Sequence, residues 1–198
     1  MSPTPRLPGR PLALAAAALL AVGAAGCDAN ESLLGEFVGT VDVVSALPVE
    51  GEAIYTVVAT EDGPRFVLGL FVGDLGDNDY DDYAFIAFTR EGGRPGVGAY
   101  SVDEDTDAPS VVAATLADVE DGDDPLDATG YVLRGRTGVL SITGADAYGN
   151  LAGSFQFEAE GASVRAPEVA LSGRASGRFE AYYEPPSVFA ALGLDLGQ

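Results

Sequence analysis

Five aspartates, Asp74, Asp77, Asp79, Asp81 and Asp82, crowd one short stretch with Asn78 among them. Clustered carboxylates repel one another, and a hard cation such as Ca²⁺, which takes six to eight oxygen ligands, relieves that repulsion. Asp77-Asn78-Asp79-Tyr80-Asp81 has the D-x-D-x-D opening of a calcium loop, but Asp82 stands where glycine is needed and Phe88 where the closing glutamate is needed. The loop is therefore an expected Ca²⁺ site of incomplete pattern. The plainer alternative is a solvated acidic loop in a salt-adapted protein. Two further acidic runs follow, Asp103-Glu104-Asp105 with Asp107, and Asp118 to Asp127 with Glu120, Asp121, Asp123 and Asp124.

The rest of the reactive inventory is short. The chain has no histidine, lysine or tryptophan and a single cysteine, Cys27. Without histidine there is no Ser-His or Cys-His nucleophile pair, and without lysine no Schiff base or Ser-Lys dyad. A zinc or copper centre lacks its usual ligands. No nucleophile elbow and no phosphate-binding glycine loop is present. Paired carboxylates remain, and two acids suffice for glycoside hydrolysis. With 31 acidic residues, however, some pair will always lie close. Tyr80, Tyr83, Tyr148, Tyr182 and Tyr183 could stack on a sugar in place of tryptophan.

Cys27 is placed where it can be modified. Arg6 and Arg10 precede an apolar run from Leu12 to Val22, and Gly23-Ala24-Ala25-Gly26 leads into the cysteine. The run is too short to span a bilayer and reads as a secretory signal helix. Ala24-Ala25-Gly26-Cys27 resembles the lipobox of bacterial lipoproteins, with Ala24 where leucine is usual. The resemblance implies cleavage after residue 26 and acylation of Cys27 with lipid chains, palmitate among them. Stable anchoring needs more than one chain, and a matured lipoprotein cysteine carries two or three. The alternative is a plain secretory signal with an incidental unpaired thiol. The expected organisation is a signal peptide over 1–26, a lipidated cysteine and tether over 27–33, and one β-domain over 34–198.

Residues 1–26 hold two arginines and no acid, so the mature chain sets eight arginines against 31 acids, a formal charge of −23. Such a surface repels nucleic acid and anionic head groups. High apolar content and regular patterning argue against disorder.

Positioning falls to strands. Leu151, Gly153, Phe155, Phe157 and Ala159 alternate with Ser154, Gln156, Glu158 and Glu160. From Val169 the pattern recurs, with Leu171, Gly173, Ala175, Gly177, Phe179 and Ala181 on one face. Leu140 and Ile142, and Phe37, Val41 and Val43, mark two more strands with one wet face. Phe66–Val72 and Tyr83–Phe88 are apolar on both faces, as suits strands buried in the middle of a sheet. Turn residues separate them at Glu61-Asp62-Gly63-Pro64, Glu91-Gly92-Gly93-Arg94-Pro95 and Ala147-Tyr148-Gly149-Asn150. These features predict an all-β domain: an antiparallel β-sandwich or partly closed β-barrel of about eight to ten strands. Gly153, Gly173 and Gly177 are expected at bends or bulges, and Ser187–Leu196 is the one mature segment with helical period.

The series Gly138-Val139-Leu140-Ser141-Ile142-Thr143, Gly153-Ser154-Phe155-Gln156-Phe157-Glu158-Ala159 and Gly177-Arg178-Phe179, preceded by Gly98-Ala99-Tyr100, is similar to uncharacterised lipoproteins of Bacteroidota-type bacteria. It covers about residues 83–183. The resemblance implies one β-rich envelope domain and no catalytic residue, and it favours the outer membrane over the inner. The expected function is a lipid-anchored, non-enzymatic binding or structural module, with Ca²⁺ in the Asp74–Asp82 loop as its one candidate cofactor. A carboxylate-dependent glycan hydrolase and an accessory subunit of an envelope complex are the alternatives. Partners would be the membrane, through Cys27, and an envelope protein or glycan.

Overall fold

Alternating apolar and polar residues extend most of the chain into strands. The computed structural model describes residues 35–73, 82–103, 108, 110–120, 129–146 and 149–191. Among them are nine strands: β1 (Gly35–Asp42), β2 (Ala46–Thr60), β3 (Gly63–Val72), β4 (Asp82–Glu91), β5 (Gly98–Val102), β6 (Val111–Glu120), β7 (Thr129–Ala145), β8 (Leu151–Ser163) and β9 (Ala170–Tyr183). One short helix, α1 (Pro186–Ala191), follows them and overlaps the start of the Ser187–Leu196 segment, whose last five residues lie outside the described ones.

The strands form one sheet in the order β1-β2-β3-β4-β6-β5-β7-β8-β9, and β9 pairs back onto β1 to close a ring. Closure removes the free edges that would otherwise invite pairing between chains. The all-β expectation is met. The sheet is mixed, however, because β5 runs parallel to β6 and the end of β9 runs parallel to β2, each over two residue pairs.

Inside the ring the alternation becomes a core. Leu151, Gly153, Phe155, Phe157 and Ala159 of β8 are buried, while Ser154, Gln156, Glu158 and Glu160 are exposed. Phe88 of β4 sits among them, its ring centroid 5.7 Å from Phe155 and 5.6 Å from Phe157. Phe37, Phe66, Leu68, Leu70, Ile86, Leu133, Leu140 and Ile142 complete the filling. These side chains bury large apolar surfaces, the dominant favourable contribution to folding. The interior is a packed core.

β3 is apolar on both faces for a visible reason. Phe66, Leu68 and Leu70 point into the ring, while Val67 and Phe71 point outward into a second cluster with Ile54 and Val58 of β2. Phe189 of α1 covers that cluster and is fully buried, with its ring 6.4 Å from that of Phe71. Gly69, between Val67 and Phe71, leaves room for it: a Cβ there would stand 3.2 Å from the Phe189 ring.

Of the inward glycines, Gly153 meets the expected irregularity, being the partner of Ile142 where the β7 register shifts, whereas Gly173 and Gly177 sit in regular pairing. Pairing between β8 and β9 runs without a break from Leu151↔Ala181 to Ala162↔Ala170, straight through Gly153, Gly173 and Gly177. The irregularities lie on β7, where the register against β8 shifts between Gly135 and Thr137 and again between Ile142 and Gly144. Aromatic rings fill the space over Gly153 and Gly177, which is why side chains are missing there.

Strand direction gives the ring two distinct ends. At the proximal end β1 begins, β9 finishes, and the β2–β3, β4–β5 and β7–β8 connections turn. At the distal end lie the β1–β2, β3–β4, β6–β7 and β8–β9 connections.

Candidate functional site

Two of the three acidic runs belong to the distal end. β3 stops at Val72 and β4 starts at Asp82, while β6 stops at Glu120 and β7 starts at Thr129. Because β4 and β6 are antiparallel neighbours, Asp82 and Glu120 are register partners. The stretch that leads into β4 and the stretch that follows β6 are thus joined to adjacent strands at one end. Of the expected Ca²⁺ ligands, Asp74, Asp77, Asp79 and Asp81 lie outside the described residues, and Asp82 is placed by its backbone at the first position of β4. Among the described residues no three ligating side chains converge.

Just inside the same end, Asp118 of β6 and Tyr131 of β7 are register partners. The Tyr131 hydroxyl donates a hydrogen bond to the Asp118 carboxylate. Burial, then the neighbouring negative charge and the bond itself, push the phenol up from 10.0 to about 12.

The proximal end is built around Tyr55. Beyond the first residue of β1, its two neighbours join directly, with Ile54 paired to Tyr182 and Tyr55 to Tyr183. Gly35 is wedged between them, so that a Cβ would strike the backbone of Ala53 and Ala181. Tyr55 points into the ring mouth and is 2 % exposed. Its ring meets Phe66 at 5.8 Å and Tyr183, edge-on, at 5.6 Å. Its hydroxyl donates to the carbonyl of Gly149 in the β7–β8 turn. Gly149 adopts φ +104°, which a residue with a side chain takes only at a cost. Asp146 fixes that turn by accepting from the Asn150 backbone N–H at 2.9 Å and side-chain amide at 3.1 Å.

Arg94, from the β4–β5 connection, completes the rim. Its guanidinium hydrogen-bonds the Tyr55 hydroxyl and donates to the Asp146 carbonyl at 3.4 Å. Burial raises the Tyr55 phenol above its ordinary 10.0, with Arg94 opposing the rise. Arg94 is exposed, and at the same end of the ring Tyr183 and Val97 are 50 % and 67 % exposed. A buried tyrosine therefore closes the mouth, and Arg94, Tyr183 and Val97 stand at the same end as the exposed Glu61 and Asp62 of the β2–β3 turn.

The outer face of β7, β8, β9 and β1 is wet and paired. Arg136 Nε lies 3.2 Å from Glu160 Oε2, and Arg174 Nη2 lies 3.1 Å from Glu158 Oε1. Shallow grooves between these side chains are open to solvent, one of them lined by Asp42, Arg136, Glu158, Glu160 and Arg174. Exposed pairs of this kind hold their carboxylates on neighbouring guanidinium groups and contribute little stability.

Of the candidate residues, Cys27 lies outside the described residues, as do Tyr80 and Tyr148. Tyr182 and Tyr183 are consecutive on β9 and so face opposite sides of the sheet, with only Tyr183 joining the rim. Tyr83 lies on β4, away from them in the sheet order. Neither Tyr55 nor Arg94 stands out in the sequence. Tyr55 sits in an apolar run that reads as core, and Arg94 in a turn; neither carries a local mark of their meeting. Comparison with protein-family models, with curated proteins and with solved structures finds no match to this chain.

Proposed function

We propose that the chain is a cell-envelope lipoprotein, anchored through lipid on Cys27, whose β-domain is a non-enzymatic binding or structural module. The observation that carries this reading is the filled ring. A closed sheet whose interior is packed with phenylalanine and leucine leaves recognition to its ends and outer face. The lipobox-like Ala24-Ala25-Gly26-Cys27 supports the anchor, and the resemblance to envelope lipoproteins supports the outer membrane. Among the described residues no helix is long and apolar enough to cross a membrane.

The test is metabolic labelling with radioactive palmitate in a bacterial host, followed by membrane fractionation. Wild type should carry label and sediment with membranes, while Cys27→Ser should lose both properties. Equal sedimentation of the two proteins would refute the anchor. Ca²⁺ in the Asp74–Asp82 loop is a separate part of the proposal, read by melting with and without added calcium. A bound ion must raise the melting temperature, so an unchanged value removes it.

A further inference from the structure

Building on the lipid-anchor reading, we infer that the proximal rim formed by Arg94, Val97 and Tyr183 is a docking surface for the phospholipid head-group layer, with the acidic distal end turned away from it. The register supplies the first argument. β2 and β9 join across the start of β1 through Tyr55↔Tyr183, so the chain preceding Gly35 leaves the sheet at this rim. Cys27 is eight residues upstream of Gly35, a stretch that reaches at most about 28 Å when fully extended. A lipid on Cys27 therefore keeps the rim close to the bilayer.

Surface chemistry supplies the second argument. Tyr183 is half exposed, Val97 is two-thirds exposed, and the exposed Arg94 holds its guanidinium on the Tyr55 hydroxyl. Tyrosine and arginine with an apolar body and a polar tip settle at the level of the head groups. The proximal end carries the exposed Glu61 and Asp62 of the β2–β3 turn, but the distal end is richer in acids. Asp118, Asp82 and Glu120 lie on its strand ends, and the sequence beyond them holds Asp74, Asp77, Asp79, Asp81, Asp121, Asp123, Asp124 and Asp127. Anionic head groups repel such a surface.

The experiment places a fluorophore at each end of the intact lipoprotein. Cys27 is the only native cysteine, and its thiol is consumed by acylation, so Val97→Cys and Val44→Cys each create a unique labelling site. Val44 is 90 % exposed in the distal β1–β2 turn. The proteins, labelled with an environment-sensitive dye, are reconstituted into phosphatidylcholine vesicles with a minor fraction of phosphatidylglycerol and a head-group nitroxide lipid. The position-97 dye should be quenched at least twofold more than the position-44 dye. The added change Arg94→Glu should narrow that gap, since a tether alone would leave it unchanged. Equal quenching in palmitate-labelled protein overturns the rim proposal and leaves the anchor standing. Loss of palmitate label from wild type overturns both.

Discussion

The ring of Phe179 lies over Gly153, its register partner on the adjacent strand, so that a Cβ on Gly153 would stand 2.7 Å from Phe179 Cζ. Two residues along, the relationship is reversed: Phe155 covers Gly177, where a Cβ would stand 2.8 Å from Phe155 Cζ. Each strand supplies a ring where the other supplies none. This exchange of large and small residues lets two phenylalanines pack side by side on the tightly curved inner face of a closed ring.

Gly153→Ala and Gly177→Ala should both destabilise the domain. The added methyl at Gly153 meets the Ser141 carbonyl as well as the Phe179 ring, and at Gly177 it also meets the Val38 carbonyl at 2.5 Å. Backbone atoms cannot rotate away, so the loss should be about 1–3 kcal/mol for each. Urea denaturation followed by circular dichroism measures it. Gly93→Ala, where the added methyl has nothing within 4 Å, is the control and should remain within about 0.5 kcal/mol of wild type.

Removing Phe88 should cost more. It is fully buried and its ring meets two others, and a closed sheet has little freedom to collapse around a void. Phe88→Ala should lose about 3–5 kcal/mol, and Phe88→Leu distinctly less. By contrast, Arg136→Gln and Arg174→Gln on the wet face should each cost less than about 1 kcal/mol, because both pairs are exposed. Similar losses at Phe88 and Arg136 would mean that the interior is not what holds the ring together.

Much of this architecture is legible in the residues themselves. The period of two in β8 and β9 directly marks their inward faces, because a strand turns alternate side chains to opposite sides. The doubly apolar run of β3 signals cover on both faces without saying what supplies the second. That information is in Phe189, more than a hundred residues away, and no local pattern links them. Gly153 and Gly177 read as bends for the same reason: a missing side chain marks a close approach, but only the register of β8 against β9 shows that the approaching group is a ring. The proximal rim was illegible because Tyr55, Arg94 and Tyr183 come from three separate parts of the chain. Strand shear and the parallel β2–β9 junction bring them together.

Thr56 offers a test in the opposite direction. It lies on the outward side of β2 between Ile54 and Val58, is fully buried, and its hydroxyl finds no hydrogen-bond partner among the described residues. A buried hydroxyl without a partner costs about 1–3 kcal/mol. Thr56→Val keeps the shape and removes the polar atom, so it should raise the melting temperature. Phe189→Ala, which uncovers the same apolar cluster, should lower it and increase binding of a hydrophobic dye. A fall in melting temperature for Thr56→Val would show that the hydroxyl has a partner.

The pH dependence of stability should carry a signature of Tyr131. Burial first, and then Asp118, lift its phenol from 10.0 to about 12 in the folded chain. Between those values the native state holds a proton that the unfolded state has released, so stability falls as pH rises. The contribution is fully present below about pH 10, and it is lost as the pH climbs through about 12. Tyr55, also raised, adds to the fall, so the informative quantity is the difference between wild type and Tyr131→Phe. Phenylalanine cannot ionise and makes no bond to Asp118. The variant should be less stable at neutral pH, and its melting temperature should approach that of wild type at alkaline pH. Melting followed by circular dichroism at closely spaced pH values gives both curves. If they descend in parallel from neutral pH to about 12, Tyr131 titrates at its ordinary value, and the half-buried Tyr131–Asp118 contact is not maintained in solution.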